Sequence, residues 1–244
     1  MKSALTLLFL CLAVLAKAQQ DAAFYIFDAD QKPTNIKKAK FLLRVSKIND
    51  SSWQWDYYHF AGPMISREHF KDREGTIHHG TSWHYAQDGR LDSTAQFVNG
   101  KKHGDAFRLV ADSFAYKTKY VFDNDQLVAT VDMTKKDSSQ FIKYDDEKES
   151  AYPGGLSSWG RYLNKNLRYP ARAMDGNIQG QSVIGFMVDS DGKLSDPFIA
   201  RSVEYSIDDE AYRIIMASGK WEPAFQNGRH VKSYKLQPIV FRLN

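Results

Sequence analysis

Leu167-Arg168-Tyr169-Pro170-Ala171-Arg172-Ala173-Met174, followed by Gly180-Gln181-Ser182-Val183-Ile184-Gly185-Phe186-Met187-Val188-Asp189-Ser190-Asp191-Gly192, decides the fold of the C-terminal part. Tyr169 stands before a proline, a place that excludes the helical region, so a helix ends there. Pro170 suits the first position of a short second helix through Met174, where its missing N–H costs nothing. Gly176 and Gly180 bracket a turn. Gln181 to Val188 is an apolar run of strand length, Asp189 to Gly192 a hairpin turn, and Lys193 to Ser202 the return strand.

Upstream, Leu156, Trp159, Leu163 and Leu167 recur at helical spacing and predict one apolar helix face. Downstream, Ser206 is the expected cap of a further helix, with Asp209 and Glu210 in its first turn. Ile207, Ala211, Ile214 and Ile215 form its buried face, and Gly219 ends it. Trp221-Glu222-Pro223 leads through Asn227-Gly228 to a last strand, Val231 to Leu243. Helix, helix, strand, strand, helix, strand predicts an α+β module over residues 151–244: a three-stranded antiparallel sheet with helices on one face.

Residues 145–150, Asp-Asp-Glu-Lys-Glu-Ser, hold no apolar residue and read as a charged linker. Residues 19–144 before it are β-rich. Phe41, Leu43 and Val45 share one strand face, as do Trp53, Trp55 and Tyr57, around the turn cluster Asn49 to Ser52, which predicts a hairpin. The tryptophan pair reads either as core or as a carbohydrate platform. A weak repeat then runs through Phe70 and Gly80, through Asp88-Gly89 and Asn99-Gly100 to Gly104, and in a degraded copy through Tyr120 to Leu127. Asn-Gly and Asp-Gly supply the positive φ of tight hairpin turns, so the repeats predict an antiparallel meander. Tyr85 to Gly104 resembles the MORN-like repeats of bacterial envelope proteins.

Residues 1–18 read as a secretory signal peptide. Lys2 is its positive start, Ala4 to Ala16 its uncharged run, and Ala16-Lys17-Ala18 its small-x-small cleavage site. Thirteen helical residues rise about 20 Å, short of a hydrocarbon core of about 30 Å, which weighs against an anchor. The sole cysteine, Cys11, lies in that segment, so cleavage leaves no thiol for catalysis or zinc. Charged residues make up 25% of the chain and the net charge is +4, too little to expect nucleic acid as a partner.

Residues 151–244 resemble the C-terminal domain of the TonB energy-transducer family in its Bacteroidetes form. The matching residues are Tyr152-Pro153-Gly154-Gly155, Leu167-x-Tyr169-Pro170-x-x-Ala173, Gly180-x-x-Val183-x-x-Phe186-x-Val188-x-x-Asp191-Gly192, Ala200-x-Ser202, Asp208-x-Glu210-Ala211, Trp221-x-Pro223 and Pro238-Ile239-x-Phe241. The resemblance implies a periplasmic, cell-envelope protein of a Gram-negative bacterium. It implies action by strand addition on an outer-membrane transporter segment in TonB-dependent transport, with a homodimer as a second use of the same edge. The implied partner-binding residues are Val231, Lys232, Ser233, Tyr234, Lys235, Leu236, Ile239, Val240 and Phe241. Tyr234 and Leu236 fall out of phase with Ile239, Phe241 and Leu243, which predicts a bulge at Pro238. Lys232, Lys235 and Arg242 read equally as gatekeepers against unwanted edge pairing. The chain lacks the family's long proline-rich spacer. A structural or glycan-binding envelope adaptor, uncoupled from the proton motive force, is therefore the alternative.

No catalytic role is expected. His59, His69, His78, His79, His84 and His103 show no metal-ligand spacing, and Asp208, Asp209 and Glu210 are explained by their place at a helix start. No nucleophile elbow, phosphate loop or dinucleotide fingerprint occurs. Cofactor, metal and small-molecule substrate are all expected to be absent.

Overall fold

The computed structural model describes residues 22–110, 114–134 and 147–243. The signal-peptide segment and positions 145–146 of the linker lie outside the described residues. Nine antiparallel strands follow one another in chain order as a single meander: β1 (Ala22–Phe27), β2 (Phe41–Asn49), β3 (Ser52–His59), β4 (Met64–Phe70), β5 (Gly80–Tyr85), β6 (Leu91–Val98), β7 (Lys101–Leu109), β8 (Tyr116–Asp123) and β9 (Gln126–Asp132). The turns are where the asparagines and glycines place them. Asn99 and Gly100 have φ of 51° and 84°, and Asn124 and Asp125 have 48° and 72°. Positive φ at both central positions matches the right-handed twist of the flanking strands. The expected β2–β3 pairing holds, with Val45 opposite Trp55 and Leu43 opposite Tyr57.

The C-terminal part is the expected α+β arrangement. Helices α1 (Gly155–Asn166) and α2 (Ala171–Asp175) precede β10 (Gly180–Val188), β11 (Leu194–Arg201), α3 (Tyr205–Met216), a small hairpin of β12 (Ala224–Gln226) and β13 (Arg229–Val231), and β14 (Ser233–Phe241). The three-stranded antiparallel sheet has the order β11-β10-β14. Ile184, Phe186 and Val188 of β10 pack against Ile207, Ala211, Ile214 and Ile215 of α3, all buried. Trp221 anchors this side as expected. It is buried, stacks edge-on against Phe186 with centroids 5.0 Å apart, and donates from Nε1 to Ser218 Oγ at 2.9 Å.

Three sequence expectations are corrected here. Leu156 is not on the buried face of α1: it is 87% exposed, and Tyr162 joins Trp159 and Leu163 against the core instead. Ser206 is not the cap of α3. Glu204 is, its carboxylate accepting from the Ser206 N–H at 2.9 Å and from the Ser206 hydroxyl at 2.6 Å. The last strand is also shorter than expected: Val231 ends β13, Lys232 lies between strands, and β14 starts at Ser233.

The meander and the α+β part share one core. Leu42, Tyr58 and Met64 from β2, β3 and β4 are buried in the same cluster as Phe186, Ile207 and Phe241. On the opposite face of the meander, Phe27, Leu43 and Val45 form a second cluster with Trp53, Trp55 and Tyr57 packed on it. Lys148 and Ala151 form isolated bridges to Phe225 and Glu222, and Ser150 is buried, so the end of the charged stretch is held against the β12 segment.

Candidate partner-binding edge

The two edges of the small sheet differ. At the β11 edge, the β5–β6 turn docks: the Ser202 N–H donates to the Gly89 carbonyl at 2.8 Å, and Arg90 bridges Arg201. The Met64 N–H donates to Ser202 Oγ at 2.7 Å, and Tyr85 Oη donates to the Ile199 carbonyl at 2.9 Å. That edge is taken up by the meander. At the β14 edge no described strand pairs.

The hairpin turn fixes which backbone groups the open edge presents. The Asp189 N–H donates to the Lys193 carbonyl at 2.9 Å, so odd-numbered residues of β10 turn their amides toward β11 and even-numbered ones toward β14. β10 and β14 pair without a shift from Gly180↔Phe241 to Val188↔Ser233. The odd residues of β14 therefore face β10, and Tyr234, Leu236, Pro238 and Val240 turn their backbone groups outward. This corrects the expected bulge. Pro238 sits in regular register opposite Val183, at a position whose N–H is not needed by the ladder. The phase change read from the sequence has another origin: both faces of β14 carry apolar side chains. Ile239 and Phe241 are buried in the core, while Tyr234, Leu236 and Val240 are 64%, 36% and 45% exposed on the other face.

That outer face forms a pad beside the open edge. Gly185, opposite both Leu236 and Phe198, has no side chain, and the Phe198 ring covers its Cα. Tyr234 meets Phe198 edge-on with centroids 6.4 Å apart. The predicted binding residues thus divide. Tyr234, Leu236 and Val240 offer both side chain and backbone. Ser233, Lys235, Ile239 and Phe241 face inward, and Val231 and Lys232 lie outside the strand. Lys232 pairs with Asp189 at 3.1 Å, and Lys235 pairs with Glu149 at 3.3 Å, so both cations are neutralised within the chain.

Sequence reasoning missed an ionic seam that joins the two parts. Asp56, fully buried, accepts from Arg44 Nη2 and Arg67 Nε, each at 2.6 Å, and from Gln54. Arg44 also reaches Asp209 of α3 at 2.6 Å. Burial alone would raise the Asp56 carboxyl, but Arg67 and Arg44 outweigh it and hold it well below the ordinary range. Asp208 is buried too, accepting from Ser182 Oγ at 2.9 Å, Ser202 Oγ at 2.5 Å and the Val203 N–H at 3.0 Å. Burial, against those hydrogen bonds, pushes its carboxyl up to about 7. Glu210 accepts from the Arg168 N–H and from Arg213. Asp208 lies in the first turn of α3, as its place at the helix start implies, and all three acids also take partners from other elements. The one sequence signal was alternation at Asp56, which shares parity with buried Tyr58 in β3; Arg67 falls out of parity with Met64, because the β3–β4 register shifts between them.

Three of the histidines are held by local partners. His69 Nδ1 meets the Thr81 carbonyl at 2.8 Å, His78 Nε2 meets Glu68 at 2.8 Å, and His103 lies 3.3 Å from Asp123. Among the described residues no group of three or more His, Cys, Asp or Glu is placed to hold a metal.

A small antiparallel sheet with one open edge, an α3 packed on its other face and a Tyr-Pro helix break beside it is the arrangement on which the family comparison falls. Residues 165–243 match the family of the Gram-negative bacterial TonB protein C-terminal domain. The match begins inside α1 and contains the whole of the β11-β10-β14 sheet. The TonB C-terminal match leaves the nine-stranded meander outside it. Neither a curated protein nor a solved structure matches the chain. No helix among the described residues is long and apolar enough to cross a membrane.

Proposed function

We propose that this is a periplasmic cell-envelope protein that works by contact and not by catalysis, using its TonB-type C-terminal part in TonB-dependent transport across the outer membrane. The partner is an extended segment of an outer-membrane transporter, added as a fourth strand along β14. The observation that carries this reading is the open edge within the matched region: outward backbone groups at Tyr234, Leu236 and Val240, flanked by an apolar pad for the partner's alternate side chains. Export by the segment 1–18, the meander's kinship with MORN-like repeats of bacterial envelope proteins and the Bacteroidetes form of the C-terminal part belong to the same proposal. A homodimer would use the same edge.

Calorimetric titration of the purified protein with synthetic plug-proximal segments of transporters from its own genome tests it. At least one segment is expected to bind, and to lose binding when its central residue is replaced by proline. No binding across the set overturns the proposal.

A second reading is a glycan-binding envelope adaptor uncoupled from the proton motive force. It is favoured by the aromatic residues on the meander face turned away from the C-terminal part, where Trp55 and Phe70 lie 5.3 Å apart and Phe41 stacks on Tyr57 at 5.5 Å.

A further inference from the structure

Strand register defines the two faces of the meander. The row Arg44, Asp56, Arg67, Trp83, Thr94, Phe107 lies toward the C-terminal part, because Arg44 reaches Asp209. The neighbouring row, His84, Ser93 and Arg108, therefore points the opposite way, as does Ala95, opposite Ala106, which is in turn opposite Tyr120. On this outward face lies a groove of about 450 Å³, within the roughly 300–1,000 Å³ of small-molecule sites. Ala95 and Ala106 keep its floor low. The rings of Phe97, Tyr120 and Phe122 wall one part of it, and Lys102 and Arg108 bring positive charge.

The charge balance of this lining is one-sided. Asp92 is its sole carboxylate, and it is engaged neither with Lys102 nor with Arg108. Lys102 lies over the Phe122 ring at 5.4 Å from the centroid, which holds its ammonium at the groove wall. Arg108 is exposed and has no carboxylate partner among the described residues. A guanidinium in this setting suits a carboxylate or sulfate group, which it can bind through two parallel hydrogen bonds. The aromatic walls suit the C–H face of a pyranose ring, which is apolar and flat enough to lie on them.

We infer that this groove binds an acidic polysaccharide, with sugar rings against Phe97, Tyr120 and Phe122 and acidic groups on Arg108 and Lys102. The inference deepens the second reading above by giving the site and the charge of the glycan. It is independent of the β14 edge, which lies on another part of the molecule.

Affinity electrophoresis of the full-length purified protein through gels containing polygalacturonate, dextran or polyglutamate tests it. Polygalacturonate is expected to retard the protein, and dextran and polyglutamate to leave it unretarded. Arg108→Gln and Lys102→Gln, both at exposed positions, are each expected to weaken retardation about tenfold, with circular dichroism spectra unchanged. Retardation by dextran alone would leave the glycan reading standing and overturn the acidic ligand. Equal retardation by polyglutamate would reduce the effect to bulk charge and overturn the ring contacts. No retardation by either glycan would overturn both the inference and the second reading. Wild-type retardation of both variants would overturn the site.

Discussion

Burial lifts the Asp208 carboxyl to about 7, while an unfolded chain leaves it at the ordinary carboxylate value. The folded protein therefore holds an extra proton between about pH 4 and about pH 7. The stabilisation from this group is fully present below about pH 4 and is lost as pH rises through about 7. Asp208→Asn should remove that slope. Urea unfolding at pH 5 and pH 8 is expected to show the wild type losing more stability than the variant on going to pH 8, and equal losses would contradict the assignment. Asp56 behaves in the opposite sense. Its carboxyl is held low by Arg67 and Arg44 despite burial, so its contribution is present above the ordinary carboxylate range and lost only in strong acid. Asp56→Ala leaves two cations without their shared partner, Arg67 buried and Arg44 nearly so, and is expected to cost about 3–5 kcal/mol by denaturant unfolding. Asp50→Ala, at a solvent-exposed pair with Lys47, is expected to leave the unfolding midpoint unchanged. None of this was legible at Asp208, Asp209 and Glu210, since three consecutive acids at a helix start satisfy the dipole rule by themselves. What decides their role is the approach of Arg44 in β2, Ser182 in β10 and the Arg168 backbone before α2, which are distant in sequence.

At the scale of the element, β14 is a strand with two apolar faces and one bare edge. Its existence and its edge position were readable from Pro238 and from the apolar residues around it. The face assignment was not, because a strand that is apolar on both sides gives no contrast by which to choose a phase, and a bulge was the cheaper assumption. The turn at Asp189 settles it through hydrogen-bond parity. That parity makes a paired prediction. Leu236→Pro removes an outward N–H and should abolish transporter-segment binding while leaving the thermal midpoint near that of the wild type. Lys235→Pro removes a ladder hydrogen bond to Phe186 and should cost about 1–3 kcal/mol. The reverse ordering of stabilities, measured by thermal unfolding, would refute the parity. In α1 the period was read correctly but the residue set was not. The side chain of Leu156 lies beyond the contact, where the chain has only just left the positive-φ glycines Gly154 and Gly155.

Over the whole molecule, the meander and the C-terminal part are two layers of one core. The order of strands in the meander was legible from turn chemistry, since Asp88-Gly89 and Asn99-Gly100 mark two of its hairpins. The docking between layers was not, because Leu42, Tyr58 and Met64 look like ordinary strand residues and nothing local distinguishes the face they pack on. Gly89 is the tightest point of that docking. Its φ is +80°, and a Cβ there would strike the Ser202 carbonyl and Pro63. Gly89→Ala is expected to lower stability by more than about 1 kcal/mol through both backbone strain and displacement of the turn. Gly100→Ala, at a turn tip with open space around it, should carry the strain alone. Comparable losses in the two variants would mean that the β5–β6 turn does not hold the sheet edge. Filling one edge of the small sheet in this way leaves β14 as its single open side among the described residues, so the partner's location follows from how the layers dock.

Amide hydrogen exchange of β14, followed residue by residue on addition of a transporter segment that binds, tests this most directly. Protection should rise at Tyr234, Leu236 and Val240 and stay unchanged at Lys235, Ile239 and Phe241, whose amides already face β10. Protection that appears elsewhere, or that rises equally along the strand, would contradict strand addition at this edge.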